Sequence, residues 1–311
     1  ADEAQAKRAA WLCKADLVSD LVLEFGDLQG IAGAYYARND REAGAVADAI
    51  QQHDWPLQAG SKLPESLEAI SVALADRLDT LVGIFAIGQI PSGSKDPFAL
   101  RRASIALLRM LVERQLNLDL TELLRLSSQT YPEGLVSTES LDMVQSYVLD
   151  RFPSLFEGQG VAVEVFRAVR NTGCTEPADF AARVNAVREF QDRPESQALA
   201  AANKRVSNIL SKTAEGEAAK TIDTDLFGEA AEKQLFNAIQ AVTSQSRDAL
   251  ASRQYTEVMT GLASLKTPVD EFFDGVMVNA EDPQIKANRL ALLTQLRDQF
   301  QSVADISQLA G

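Results

Sequence analysis

The sequence predicts an all-α protein, and three observations support this fold class. Apolar residues recur at intervals of three and four along most of the chain, which is the period of a helix that buries one face. Much of this apolar content is Ala and Leu, which favour helices intrinsically. Runs that alternate apolar and polar residues are nearly absent, and only 277–279 suggests a short extended piece. With 46% hydrophobic and 24% charged residues over 311 positions, the chain has enough apolar side chains for globular cores.

Breaker-rich segments mark where the predicted helices begin and end. Two of them, 52–56 and 60–64, precede a helix with regular apolar spacing. The apolar positions of that helix are Leu67, Ile70, Leu74, Leu78 and Leu81. A later polar loop ends in Asp96 and Pro97, which predict a helix start because the carboxylate accepts from first-turn amides and the proline sacrifices no donor. We expect that helix to run from about Pro97 to Gln115.

The middle of the chain is more interrupted. Breakers at 152–154 and 171–177 make 151–195 a predicted connector of short helices. A regular helix then resumes, with predicted buried positions at Leu199, Ala202, Val206 and Ile209. We therefore divide the chain into three parts, 1–150, 151–195 and 196–311, in keeping with its length.

The scarcity of histidine and cysteine excludes several kinds of site. One histidine and two cysteines cannot build a paired-histidine metal site, a four-ligand zinc site or a disulfide scaffold. The isolated Cys13 and Cys174 favour a reducing compartment. No membrane span or secretory leader is recognisable, so we expect a cytoplasmic protein without membrane contact. The first residues read as the interior of a helix without a cap, which predicts a piece of a longer protein.

The sequence contains no recognisable catalytic motif. A phosphate-binding loop, a dinucleotide-binding glycine pattern, a nucleophile elbow and a Cys/His pair are all missing from it. His53 and Asp54 invite comparison with HD-type metal phosphohydrolases, but those enzymes need several histidines and aspartates. Asp76 and Asp79, on either side of Arg77, can be read as carboxylate ligands or as an ordinary polar stripe. We assign no catalytic and no metal-binding residue.

Charge is distributed unevenly along the chain. There are 30 basic and 44 acidic residues, a net charge of −14. The first basic segment, 95–114, nevertheless carries five basic residues against two acidic ones, and the second basic segment, 183–212, carries six against three. By contrast, 213–282 carries five against thirteen. Basic segments of this kind can contact phosphate groups, or they can be ordinary solvated helix faces.

Several long stretches resemble one enzyme family. Residues 75–89 (ADRLDTLVGIFAIGQ) and 91–103 (PSGSKDPFALRRA) are similar to the most characteristic stretch of the β subunit of bacterial heterotetrameric glycyl-tRNA synthetase. The other segments that resemble this family are 14–25, 28–30, 200–210, 273–279 and 288–293. The resemblance extends from about Lys7 to the end of the chain.

This resemblance implies an architecture and a division of labour. It implies an HD-like helical domain at 1–150, a helical connector at 151–195 and, at 196–311, a DALR-like anticodon-binding bundle of the kind shared with arginyl-tRNA synthetase. In the family, the α subunit joins glycine to ATP and then to tRNA, while the β subunit is required for tRNA binding. The chain would be the C-terminal part of β, with tRNA-Gly and the α subunit as partners in an α2β2 assembly and no DNA partner. It would bind no cofactor itself, since ATP and Mg act through the α subunit.

The first basic segment offers a candidate contact with the tRNA backbone, with the acceptor arm as its target. Arg102 and Arg109, seven residues apart, are predicted to share one helix face with Ala106 between them. The preceding Ser-Gly-Ser-Lys loop can bring Lys95 and backbone amides to the same edge, where a helix N-terminus favours anions. The candidate residues of this segment are Lys95, Arg101, Arg102 and Arg109.

The second basic segment offers a candidate contact with the anticodon. The predicted exposed side of its helix combines a charge for phosphate with amides for base edges, and it consists of Asn203, Lys204, Ser207 and Asn208. Unstacked bases also need a flat partner, for which Arg205, Arg289 and Phe236 are candidates. The candidate tRNA-binding residues here are Asn203, Lys204, Arg205, Asn208 and Arg289.

Each candidate surface has a structural alternative. Arg101 or Arg102 can instead brace the fold, with Asp79 or Glu113 as the partner. The two asparagines of the second segment can simply cap or cross-link helices. Two other functions also stay open: an HD-type metal phosphohydrolase, which the histidine count disfavours, and a helical scaffold that assembles subunits and touches RNA only incidentally.

Overall fold

The computed structural model of the chain describes residues 1–58, 60–92, 95–213, 218–219 and 221–310. Within these ranges the regular elements are α-helices and short 3-10 helices, with a single isolated bridge between Ser92 and Lys95. The predicted all-α fold is therefore confirmed. The chain forms two compact units.

The first unit contains Ala1–Glu157 together with Thr175–Ala178. Its α-helices are α1 (Glu3–Leu12), α2 (Asp20–Glu24), α3 (Ile31–Asn39), α4 (Gly44–Gln52), α5 (Leu67–Ala86), α6 (Leu100–Glu113), α7 (Leu120–Ser128), α8 (Thr138–Leu149) and α9 (Phe152–Leu155). Asp2 caps α1 by accepting from the Gln5 amide, so the first helix does have a cap, contrary to the expectation from sequence.

Helix α5 is the centre of the first unit. It packs against α1, α4, α6, α7 and α8, and it buries residues on several sides because it is apolar around much of its circumference. One close approach depends on Gly83, where an added Cβ would lie 2.4 Å from the Tyr131 hydroxyl oxygen. That hydroxyl lies 2.8 Å from both the main-chain and a carboxylate oxygen of Asp79. Asp79 is thus a partner of Tyr131, a contact that the sequence pattern did not suggest.

The second unit contains Gly158–Cys174 and the chain from Asp179 onward. Its α-helices are α10 (Val163–Arg170), α11 (Pro177–Gln191), α12 (Ser196–Leu210), α13 (Ala230–Ala251), α14 (Tyr255–Ala263), α15 (Lys266–Gly275) and α16 (Pro283–Gln301). The first two residues of α11 belong to the first unit. Helix α12 packs against α15, α16 and the 3-10 helix Ile306–Leu309. The predicted connector 151–195 contributes to both units and includes α11, which has 15 residues. The three-part division stays a prediction.

A buried polar network joins three helices of the second unit. The carboxylate of Asp179 accepts from Nε of Arg183 at 2.8 Å and from the Tyr255 hydroxyl at 2.5 Å. Arg183 also donates to the main-chain oxygens of Ser302 and Val303, at 2.8 and 2.9 Å. Burial alone would raise the pKa of Asp179, but the hydrogen bonds from Tyr255 and Arg183 outweigh it and hold that pKa below its ordinary value. Burial and the Asp179 carboxylate raise the pKa of Tyr255 to about 12.

Candidate nucleic-acid interface

Helix α12 carries most of the predicted anticodon contacts, and its buried side differs from the predicted one. Leu199 and Val206 are buried as expected, whereas Ala202 and Ile209 are only partly buried. Asn203 is fully buried, and neither its Nδ2 nor its Oδ1 has a hydrogen-bond partner. The prediction that Asn203 lies on the exposed face is therefore wrong. The buried face of α12 includes Leu199, Asn203 and Val206, whereas the apolar spacing had placed Ala202 and Ile209 on it.

The exposed side of α12 borders a cavity of about 740 Å³. Three predicted residues, Lys204, Arg205 and Asn208, line this cavity. The other lining residues are Ala201, Ile209, Lys212, Thr213, Asn279, Lys286 and Ala310. Four of the lining residues are basic, and among the described lining residues none is acidic. We call this cavity the basic cavity; its charge suits phosphate groups, although the chain as a whole is acidic.

Sequence reasoning missed two of the basic residues at this cavity. Lys212 follows Lys204 and Asn208 at steps of eight and four, so helical spacing alone could have placed it on the same face. Lys286 lies on α16, and it reaches the cavity only because α16 packs against α12. No pattern within α12 reveals such a contact, since it depends on the tertiary packing.

Intramolecular contacts hold the two neighbouring cations of α12 in place. The Nζ of Lys204 donates to the main-chain oxygen of Ala310 at 3.2 Å. The guanidinium carbon of Arg205 lies 4.1 Å from the centre of the Phe273 ring, a cation–π arrangement. Both side chains nevertheless remain exposed. The ring of Phe273 therefore orients the flat guanidinium of Arg205 at the edge of the basic cavity.

The other two candidates for a flat partner lie elsewhere. Arg289 is buried; its Nε donates to Glu232 at 2.8 Å, and its Nη1 donates to the main-chain oxygen of Met277 at 2.8 Å. Phe236 packs against Phe227, with ring centres 5.7 Å apart. Arg289 therefore braces the interior of the unit, which corrects the expectation that it offers an exposed plane.

A second cavity, of about 590 Å³, lies along α12. Lys204 and Asn208 line it as well as the basic cavity. It also includes Asp305, whose carboxylate accepts from Ser307 and Asn171. Burial would raise the pKa of Asp305, but these hydrogen bonds hold it below the ordinary value, so this cavity contains a carboxylate as well as cations.

The helix of the first basic segment begins later than predicted. It starts at Leu100 instead of Pro97, because Ala99 adopts a left-handed conformation with φ of 56°. Asp96 still caps it, and its two carboxylate oxygens accept from the amides of Leu100 and Arg101 at 2.8 and 2.9 Å. The capping role of Asp96 was predicted correctly, whereas the placement of Pro97 at the first helical position is wrong.

The four candidate residues of the first basic segment have different surroundings. Lys95 and Arg102 are exposed, while Arg101 is half-buried. Arg109 pairs with Glu113 at 2.6 Å and donates to the main-chain oxygen of Ser61 at 3.0 Å. The rest of the predicted loop, residues 93–94, lies outside the described residues.

The predicted face between Arg102 and Arg109 is not continuous. Ala106, which was expected between them on the exposed side, is buried. The predicted bracing by Glu113 does occur, but its partner is Arg109, and Asp79 is occupied by Tyr131. The first basic segment thus offers separate cations rather than a stripe.

Arg102 lines a pocket of about 240 Å³ together with Asp54, Asp76 and Arg77; His53, the other residue compared with HD-type enzymes, does not line it. His53 is buried, with Nδ1 2.7 Å from the main-chain oxygen of Ile50, and its own carbonyl accepts from Arg77. The guanidinium of Arg77 lies 3.6 Å from a carboxylate oxygen of Asp54. Burial lowers the pKa of Arg77, and the neighbouring carboxylates oppose that shift.

These residues do not fit a divalent metal. The carboxylates of Asp54 and Asp76 already face the cation of Arg77, and Lys14 also pairs with Asp76. Within the described part of the chain, no three His, Cys, Asp or Glu side chains are grouped so that they could hold a metal ion. Among the described helices, none has the length and apolar content of a membrane span.

Two protein families match the chain. The family described as glycyl-tRNA synthetase beta subunit matches residues 1–171, and the family described as DALR anticodon binding domain matches residues 199–306. The DALR match contains α12 and all the residues of the basic cavity except Ala310.

Similar curated proteins carry one name. The glycine–tRNA ligase beta subunit of Pasteurella multocida is 49% identical over 309 residues, which cover 99% of this chain and 45% of that protein. The proteins of the same name from Acinetobacter baumannii and Haemophilus influenzae are 49% and 48% identical, over 100% and 99% of this chain and 45% of each relative. The chain therefore spans about 45% of the length of these relatives.

Proposed function

Because the chain belongs to the glycyl-tRNA synthetase beta subunit family, we propose that it is a tRNA-binding, non-catalytic part of a glycine–tRNA ligase. Its contribution is to hold tRNA-Gly while glycine is attached elsewhere in the enzyme. The observation that carries this proposal is the basic cavity beside α12, which collects four cations in a chain with a net charge of −14.

In this proposal the basic cavity receives the anticodon arm. Lys204, Lys212 and Lys286 neutralise phosphate charges and release counterions, which supplies affinity without reading sequence. The amides of Asn208 and Asn279 have the donors and acceptors to read the edges of unstacked bases. The guanidinium of Arg205, oriented by Phe273, provides the flat surface for a base to stack on, and its charge contacts the adjacent phosphate.

The same proposal assigns the chemistry to a partner subunit. The relatives are named beta subunits, which implies a second kind of subunit. We propose that this is an α subunit that uses ATP and Mg²⁺ in an α2β2 enzyme of the cytoplasm, and that this chain binds neither ATP nor Mg²⁺. The first basic segment then contacts the tRNA backbone away from the anticodon, through Lys95, Arg101 and Arg102.

The proposal is tested by titrating the chain with tRNA-Gly and with a tRNA-Gly whose anticodon has been altered. If the basic cavity reads anticodon bases, the altered tRNA binds at least about tenfold more weakly, the effect of losing one specific base contact. Equal affinities would limit the chain to backbone contacts. If neither tRNA binds at low salt, the chain lacks the proposed function.

A further inference from the structure

The first 36 residues expose an unusual number of large apolar side chains. Trp11, Val18 and Leu23 are 82%, 85% and 73% exposed, and Tyr35 is 69% exposed. Five of these exposed side chains lie close together in the sequence and in the fold, and we call them the N-terminal apolar surface: Val18, Leu21, Leu23, Phe25 and Tyr35. They belong to α2, α3 and the segments next to them, which include the 3-10 helices Ala15–Val18 and Gly26–Leu28; both 3-10 helices contact α2, and the first also contacts α3.

The backbone that presents this surface is held firmly. One carboxylate oxygen of the buried Asp16 accepts from the amides of Gly30 and Gly33, at 2.7 and 3.0 Å. A Cβ at Gly33 would lie 3.0 Å from that oxygen, so the helix approaches Asp16 closely. Ser19 caps α2 by accepting from the Val22 amide. The apolar side chains therefore point outward from a braced segment instead of a loose loop.

Leaving this surface in water is costly. The rings of Phe25 and Tyr35 alone expose on the order of 250 Å², judged from the area that such rings usually bury. With the three aliphatic side chains added, the exposed area is comparable with the largest apolar patch of a typical soluble monomer, and such patches mark interaction sites. Aromatic residues are also enriched at the centre of protein interfaces.

The charge around this surface determines which class of macromolecule it suits. Residues 15–37 contain the exposed Asp20, Glu24 and Asp27, and no lysine or arginine. A phosphate backbone would be repelled here, in contrast to the basic cavity. A protein surface with an apolar centre and basic residues around it is complementary.

We propose that the N-terminal apolar surface is an internal domain interface, covered by the part of a full-length β subunit that lies outside this chain. The relatives devote only 45% of their length to the region that matches it, so more than half of each relative is available to cover the surface. This proposal relies on family membership but not on the basic cavity. The occupant presents apolar side chains edged by Lys or Arg.

The test measures how fast a maleimide labels a cysteine placed in this surface, at a position where the side chain is 73% exposed. Leu23→Cys is prepared in the 311-residue chain and in the full-length β subunit that contains it. Leu126→Cys, an exposed position on α7 of the same unit, is the matched control. The unmodified proteins give the background from the buried Cys13 and the partly buried Cys174.

We expect Leu23→Cys to react about tenfold more slowly in the full-length subunit than in the 311-residue chain, with a change of less than about twofold at Leu126→Cys. Equal rates at Leu23→Cys overturn the proposal. So does protection that appears only after the α subunit is added, which would identify a subunit interface, or protection that rises with the concentration of the chain, which would identify a second copy. Affinity for tRNA, measured on the same samples, reports the proposed function independently.

Discussion

The two basic segments have similar compositions, but their side chains do different work. Along α6, Arg109 and Arg114 are used within the first unit, where they donate to the main-chain oxygens of Ser61 and Pro64. Along α12, the cations stay exposed and meet a lysine from α16 at one cavity. A count of charges along the sequence cannot separate these cases, because the count does not say where the fold places each cation.

Two arginines of the second unit differ in the same way. Arg289 and Arg205 were both expected to offer a flat surface to a base. Arg205 is exposed against Phe273, whereas Arg289 is buried against a carboxylate of Glu232 that is itself 0% exposed. The first is suited to binding and the second to stability, and mutations at the two positions should therefore have different effects.

The largest effect is expected from Arg289→Ala. Removing this partner leaves the Glu232 carboxylate buried and unpaired, which costs about 3–4 kcal/mol of unfolding free energy. Urea denaturation measures the change. Arg297→Ala is the control on the same helix; its pair with Asp298 is exposed, so it should cost less than about 1 kcal/mol. Equal small losses for both variants would remove the distinction between buried and exposed arginines.

The next effect is the loss of tRNA affinity in Lys204→Glu/Arg205→Glu. Losing two phosphate contacts is expected to weaken binding roughly 50-fold at about 0.1 M salt. The control Lys233→Glu/Arg247→Glu makes the same change of charge on exposed positions of α13, away from the cavity. Filter binding with tRNA-Gly gives both affinities. A loss of similar size in the control would show that only total charge matters.

A smaller effect is expected from Arg102→Glu on α6. If this exposed cation touches the tRNA backbone, affinity falls about eightfold, the contribution of one phosphate contact. Arg125→Glu on α7 of the same unit is the charge-matched control. Unchanged binding by a folded Arg102→Glu variant would exclude the contact and restrict tRNA binding to the second unit.

The smallest effect is expected from Asp179→Asn. This change disrupts the polar network that joins α11, α14 and α16, and its effect on stability depends on pH. The pKa of Asp179 is lower in the folded than in the unfolded chain, so its stabilising contribution is present above about pH 4 and is lost as pH falls through the folded value. Asp179→Asn should therefore be less stable than the natural chain at pH 7, and the difference should shrink below pH 4. Urea midpoints between pH 3 and pH 7 measure this difference.

At alkaline pH the stability of the chain is expected to fall as pH rises, the opposite of its behaviour at acidic pH. The pKa of Tyr255 is raised to about 12, so the contribution of its neutral form is lost as pH rises from about 10 towards that value. In Tyr255→Phe this part of the alkaline loss of stability should disappear. If Tyr255→Phe loses as much stability at alkaline pH as the natural chain does, other ionisable groups cause that loss.

Much of the fold follows from local signals. The apolar spacing of α5 and the capping carboxylate of Asp96 are properties of short segments, so they can be recognised in the sequence. The family resemblance predicted a DALR-like anticodon-binding domain, and the family of that description matches residues 199–306. Helix starts such as Leu100 were less predictable, because the left-handed Ala99 has no signature like that of glycine.

The candidate site was only partly predictable, for a related reason. The contribution of Lys286 depends on how α16 packs against α12, and the burial of Asn203 depends on the rotation of α12 about its axis. A tertiary contact of this kind has no fixed spacing in sequence. The assignment of the remaining residues to tRNA stays a prediction.

The central claim is that the edge of α12 binds RNA through its exposed cations, and the salt dependence of tRNA-Gly affinity tests it most directly. The slope of log affinity against log salt should be smaller in magnitude by about 1.4–1.8 in Lys204→Glu/Arg205→Glu than in the natural chain, and unchanged in the α13 control. Identical slopes for all three proteins would contradict the account.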